Sequence, residues 1–230
     1  MEKINVKITF LEGPLGTAPN DEDVYRNFIG SKAPDAATIE DEVAALGADA
    51  VVEKGMAVFP RNAEGQPIFW DYQIKGFFKD ACQMLGRVGG KDENGKKKKV
   101  NESSKMTAFK KTIDGIIFVE PRQIPIDMNG GEMSVCQRPF RAQTMQGERV
   151  TLAMSEECPA NSTISFTVLC LSPEHVAAVR EWLNYGYLRG LGQWRNSGRG
   201  KFVWEELDDN GAVIGGNASL SGIDRLALVS

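Results

Sequence analysis

Residues 163–207, TISFTVLCLSPEHVAAVREWLNYGYLRGLGQWRNSGRGKFVWEEL, run through a strand pattern, a helix pattern, a glycine-rich loop and a second strand pattern. In 163–171 the apolar Ile164, Phe166, Val168 and Cys170 alternate with Ser, Thr and Leu, the two-residue period of a strand with one buried side. Ser172-Pro173-Glu174 has the composition of a helix start: a hydroxyl for the N-cap, proline at the first helical position and an acid in the first turn. The spacing of Val176, Val179, Trp182 and Leu183 predicts one apolar face and a helix reaching about Tyr187. KFVWEEL, 201–207, follows the loop as a strand.

Outward from this unit, KINVKITFLE at 3–12 alternates Ile4, Val6, Ile8 and Phe10 with polar neighbours and predicts a half-buried first strand, broken by Gly13-Pro14-Leu15-Gly16. A short helix is expected near 36–46, between Asp35 and Gly47, and one or two strands over 50–59. Arg61 to Pro67 reads as a turn. A helix is predicted over 75–86, with Phe77, Phe78, Ala81 and Leu85 at helical spacing. IDGIIFVEPRQIPI, 113–126, is expected to be an apolar strand, and 148–154 another. This order suits an α+β, ferredoxin-like βαββαβ domain, with two helices on one face of an antiparallel sheet and the other face open for binding. The whole chain, 1–230, is expected to be one domain with insertions at about 17–57 and 88–112 and an undetermined tail at 208–230.

Composition excludes several classes. At 230 residues, with 42% hydrophobic and 25% charged residues, the chain is that of an ordinary globular domain. It has no apolar run of membrane-spanning length and no secretory leader pattern at its start, so a cytoplasmic protein away from membranes is expected. The four cysteines, Cys82, Cys136, Cys158 and Cys170, are far apart and read as reduced thiols. One histidine, His175, rules out a histidine-rich metal site; no metal or other cofactor is expected.

Charge is unevenly placed. The net charge is −4, yet residues 91–111 hold eight lysines against three acids, leaving −9 on the remainder. Such a run is either a solvated loop or an arm, including Lys97 and Lys98, that meets phosphates without reading sequence. The loop 190–200 combines Gly190, Gly192, Gly198 and Gly200 with Trp194, Arg195 and Arg199, and Lys201 follows it. Glycines at both ends suit backbone bent around a ligand, with N–H groups, cations and a flat ring presented together. Packing of Trp194 onto the core is the competing reading.

The pattern Gly-apolar-Gly, a basic stretch, then Gly-X-Gly resembles the carboxy-terminal glycine-rich loop of the RAMP superfamily of CRISPR proteins, which have RNA-recognition-motif-like (RRM-like) folds. Arg199 stands where that family usually has an apolar residue. VFPRNAEGQPIFWDYQIKGFFKD, 58–80, is similar to the segment of crRNA-binding backbone subunits that leads into the first helix. There Ile74-Lys75-Gly76-Phe77-Phe78-Lys79 matches a lysine-glycine element, while Asp71-Tyr72-Gln73 departs from it. The opening KITFLEGPLGTAP, 7–19, looks like the family's first strand and following loop. The resemblance implies antiviral defence and single-stranded, crRNA-like RNA gripped mainly by its backbone, with other subunits or copies stacked along it. Lys75 and Lys79, four apart at the expected helix start, would meet phosphate with Gly76.

Some members of that family cut RNA with a histidine or a loop aspartate and a divalent ion. His175 has no arguable partner, and Asp21, Asp23 and Asp35 are ordinary acidic loop residues, so no catalytic residue is assigned. Three alternatives stay open: a single-stranded DNA-binding protein, an interaction or inhibitor protein of a mobile element, and a metal-dependent endoribonuclease.

Overall fold

The computed structural model describes residues 1–20, 56–88, 93, 95, 98–144 and 147–228. The expected helix at 36–46, most of the 50–59 strands, Asp21, Asp23, Asp35 and Lys97 lie outside them.

The first strand, β1 (Glu2–Phe10), fulfils its alternation: Ile4, Val6, Ile8 and Phe10 are all buried. It pairs antiparallel with β9 (Thr163–Cys170) on one side and β10 (Phe202–Leu207) on the other. Beyond β9 lie β5 (Ile117–Glu120) and β6 (Gln123–Asp127), which share that edge with a register shift between them. Glu120 lies opposite Thr167, whereas Ile126 lies opposite Ile164. β4 (Ile68–Trp70) extends the sheet past β6, and β11 (Val213–Gly216) extends it past β10. The result is an α+β architecture on an antiparallel sheet of order β11-β10-β1-β9-β6-β4.

Two long helices supply the other half of the core. α1 (Asp71–Leu85) buries Ile74, Phe77, Phe78, Ala81, Cys82 and Leu85, the i, i+3, i+4 stripe of an amphipathic helix. It starts four residues before the predicted Lys75, because Gln73 accepts a hydrogen bond from the Trp70 N–H (2.7 Å) and fixes an earlier first turn. Ahead of the last long helix, a 3-10 turn occupies Pro173–His175. α4 (Val176–Arg189) then buries Ala178, Val179, Trp182, Leu183 and Gly186. Gly186 faces the Phe202 ring, which a methyl group would strike. Trp182 packs on Phe78 with centroids 5.4 Å apart and donates from Nε1 to Ser103 Oγ at 2.9 Å.

Two short helices, α2 (Glu102–Lys105) and α3 (Phe109–Ile116), occupy the later part of the lysine-rich stretch and the residues after it. Residues 113–116, expected to open a strand, therefore close a helix. Only Ile113 of α3 is buried, and the strand alternation begins at Ile117. A second sheet of order β2-β3-β8-β7 joins β2 (Ala18–Pro19), β3 (Ala57–Val58), β7 (Ser134–Thr144) and β8 (Gly147–Glu157). β7 has no counterpart in the sequence reading, and β8 extends beyond 148–154 at both ends. The tail beyond β11 forms α5 (Gly222–Ala227). All four cysteines are buried and in no disulfide, and burial pushes Cys158 up to about 12 and Cys170 up to about 11. No helix among the described residues is long and apolar enough to cross a membrane.

Candidate nucleic-acid interface

The sheet surface opposite the helices was expected to be free for binding. Register places Lys3, Asn5, Lys7 and Thr9 of β1 there, beside Ser165 and Thr167 of β9 and Glu205 and Leu207 of β10. No aromatic ring stands on that surface in the three central strands; Phe118 on β5, opposite Leu169, reaches only its margin. Stacking of bases across the sheet centre has nothing to use.

The glycine-rich loop offers more. Gly190, Gly192, Gly198 and Gly200 all have positive φ, the conformation glycine adopts without strain. At the loop's neck Leu191 N–H donates to the Gly200 carbonyl (2.9 Å), and a side chain at Gly200 would collide with the Leu191 carbonyl. Gly192 lies against the backbone of Leu15, so the loop also packs on the turn after β1. The neck is buried while Trp194, Asn196 and Ser197 at the tip are exposed. Trp194 itself has φ +52, a conformation unusual for a bulky residue, and the residue is 39% exposed. The ring therefore stands outward on a closed, hydrogen-bonded loop. From β7, the Arg138 guanidinium lies 4.9 Å from the ring centroid and donates to Gln193 Oε1 (3.3 Å).

Both loop arginines hold the loop in place. Arg195 Nη1 donates to Asp80 Oδ2 at 2.7 Å, and Arg189 binds the same carboxylate at 2.8 Å. Burial pushes the Asp80 carboxyl up, but hydrogen bonds and charge from Arg189 and Arg195 outweigh it and hold the group below its ordinary value. Arg199 pairs with Glu157 of β8. A guanidinium carries five N–H donors, so each arginine keeps some beyond these bonds. Lys201 has no acidic partner among the described residues. It lines a shallow depression with Glu12, Trp194, Ser197, Gly198 and Arg199.

The lysine-glycine element lies on the outer face of α1. Lys75 belongs to the second helical turn, so it sits away from the free N–H groups of the helix start. Its Nζ donates to the Asp114 carbonyl (3.1 Å) and stands 5.0 Å from the Phe118 ring centroid. Lys79 pairs with the Asp114 carboxylate at 2.6 Å. Gly76 is exposed between them, with nothing within 4 Å of where a Cβ would be. Lys98 is exposed.

Sequence reasoning missed Arg138, because β7 was not recognised, and Trp70, Tyr72 and Arg122. The last three cluster at the start of α1: the Trp70 and Tyr72 rings are stacked at 6.2 Å and 12°, with Arg122 5.8 Å from the Trp70 centroid. The signal was two rings separated by one residue beside the lysine-glycine element. His175, 3.6 Å from Glu174, lines a separate cleft with Glu102, Lys105 and Thr112.

No family model and no curated protein matches this sequence. Among solved structures, the chain is similar to a chain in a cryo-EM structure of the Type III-B Cmr-beta complex bound to cognate target RNA, with 12% identity and a TM-score of 0.47. The match covers 87% of this chain and 57% of that one, so this chain spans little more than half its length.

Proposed function

We propose that this chain is a non-catalytic, cytoplasmic single-stranded RNA-binding protein, a RAMP-like domain with insertions at about 17–57 and 88–112, working with other subunits. The core strand order β10-β1-β9-β6, with α1 and α4 as the two connecting helices, supports a ferredoxin-like, RRM-like reading. The observation that carries the function is Trp194: an accessible ring on a loop closed by four positive-φ glycines and braced by Arg138, Asp80 and Glu157. Such a ring stacks on any base, and Lys201, with the spare donors of Arg195 and Arg199, meets the adjoining phosphates.

Anisotropy titrations with labelled RNA and DNA strands of one sequence, at several salt concentrations, test this. Trp194→Ala is expected to weaken RNA binding by about 1–3 kcal/mol with little change in salt slope. Lys201→Ala is expected to flatten that slope by about one. Unchanged affinity in Trp194→Ala would sink the reading, and tighter binding of the DNA strand would turn it towards DNA.

One observation favours an interaction protein as a second reading. Ile214 of β11 and Leu228 at the end of α5, 63% and 43% exposed, line one surface depression with Trp204 and Gly216. Exposed apolar side chains gathered in this way suit a protein partner. Co-purification of a partner that survives nuclease treatment supports this second reading; loss of every partner on digestion removes it.

A further inference from the structure

The stacked pair at the start of α1 has no packing role in the core. Neither Trp70 nor Tyr72 belongs to the buried cluster or to the side chains packed against it, and Tyr72 is 60% exposed. Residues two apart on a helix do not face one another. These two do because Trp70 is the N-cap, with extended backbone at φ −86 and ψ 148, and Tyr72 is in the first turn. The backbone around them is fixed on three sides. Trp70 pairs with Gln123 of β6, Asp71 N–H donates to the Arg122 carbonyl at 3.0 Å, and the Gln73 side chain bridges Trp70 N–H (2.7 Å) and Thr17 Oγ1 (2.8 Å). The Arg122 guanidinium lies over the Trp70 ring, 5.8 Å from its centroid. Further along the same exposed helix face come Lys75, Gly76 and Lys79, with Phe118 under Lys75.

Rings alternating with cations on a preformed surface are the combination that holds single-stranded nucleic acid: rings take bases, cations take phosphates. We infer that Trp70, Tyr72 and Arg122 form a second base-stacking subsite, to which RNA continues from the glycine-rich loop along the outer face of α1. This rests on the RNA-binding reading. The two platforms are mechanically joined, since Asp80 of α1 anchors Arg195 of the loop. Tyr72 precedes Asp80 by roughly 12 Å of helix axis. With no side chain, Gly76 leaves the track between the lysines open to a sugar-phosphate backbone.

The test uses labelled oligouridylates of four and twelve nucleotides with the full chain. The four-mer reaches one platform and the twelve-mer both. Tyr72→Ala with Arg122→Ala is expected to bind the twelve-mer roughly tenfold more weakly and to leave the four-mer within about twofold of the parent. Tyr72→Phe, which keeps the ring, retains parental twelve-mer affinity. Parental twelve-mer affinity in the double variant overturns the inference, as does an equal loss for both lengths. Trp194→Ala separates the two proposals. If it binds like the parent while the Tyr72 and Arg122 variant is impaired, the loop reading fails and the helix platform stands. A parent that binds neither oligonucleotide removes both.

Discussion

The glycine-rich loop and the outer face of α1 use the same kinds of side chain in opposite ways. In the loop, arginines are drawn back into ion pairs with Asp80 and Glu157, and what they hold outward is a ring. At α1, Lys75 lies over the Phe118 ring and Arg122 over the Trp70 ring, while Lys79 pairs with the Asp114 carboxylate. Charge in the first region fixes shape, whereas in the second it stays beside the surface a ligand would touch. The difference follows from backbone. A loop with five residues at positive φ needs side-chain anchors to hold one conformation, while a 15-residue helix is held by its own hydrogen bonds and its buried stripe.

Glycine substitutions should expose this contrast most strongly. Gly200→Ala places a methyl group against the Leu191 carbonyl at φ +69, so a loss of about 2–4 kcal/mol is expected in urea unfolding. Asp80→Asn, which leaves Arg189 and Arg195 without their carboxylate, is expected to lower stability by about 1–2 kcal/mol by the same measurement. The pH dependence has a definite sign. Because the folded Asp80 carboxyl titrates below its ordinary 3.8, its contribution is complete above about pH 4 and is lost as acidification passes the folded value. The parent should lose more stability than Asp80→Asn below pH 4, and parallel curves would show that the carboxylate does not anchor the loop. The smallest effect has the opposite sign. Gly76→Ala fills open space in a helix interior and should raise stability by about 0.5–1 kcal/mol. If it destabilises instead, the α1 surface is not open.

Periodicity made much of the core legible. β1, β9 and α4 were readable because Ile4 to Phe10, Ile164 to Cys170 and Val179 to Leu183 bury one side against the same interior. Elements without that signature escaped. β7 is an edge strand in which Cys136 is buried while Val135 is 48% exposed, so its apolar residues do not mark a face. The start of α1 was misplaced because its cap is a glutamine side chain reaching back to Trp70, not a serine or aspartate at the N-cap. At the interface, loop glycines announced the left-handed backbone, but composition could not show that Arg195 and Arg199 would find acids 115 and 42 residues away. Long-range pairing of that kind is set by topology alone.

Asn101 Nδ2 donates to the Leu85 carbonyl at 3.0 Å, and the Glu181 carboxylate accepts the Glu102 and Ser103 N–H groups at 2.7 and 3.1 Å. Asn101, which follows the last lysines of the 96–99 cluster, is thereby pinned to the C-terminal end of α1. Lys98 and Lys99 lie within three residues of that anchor, about 10 Å of chain at most, so any polyanion drawn to them is kept close to the C-terminal end of α1.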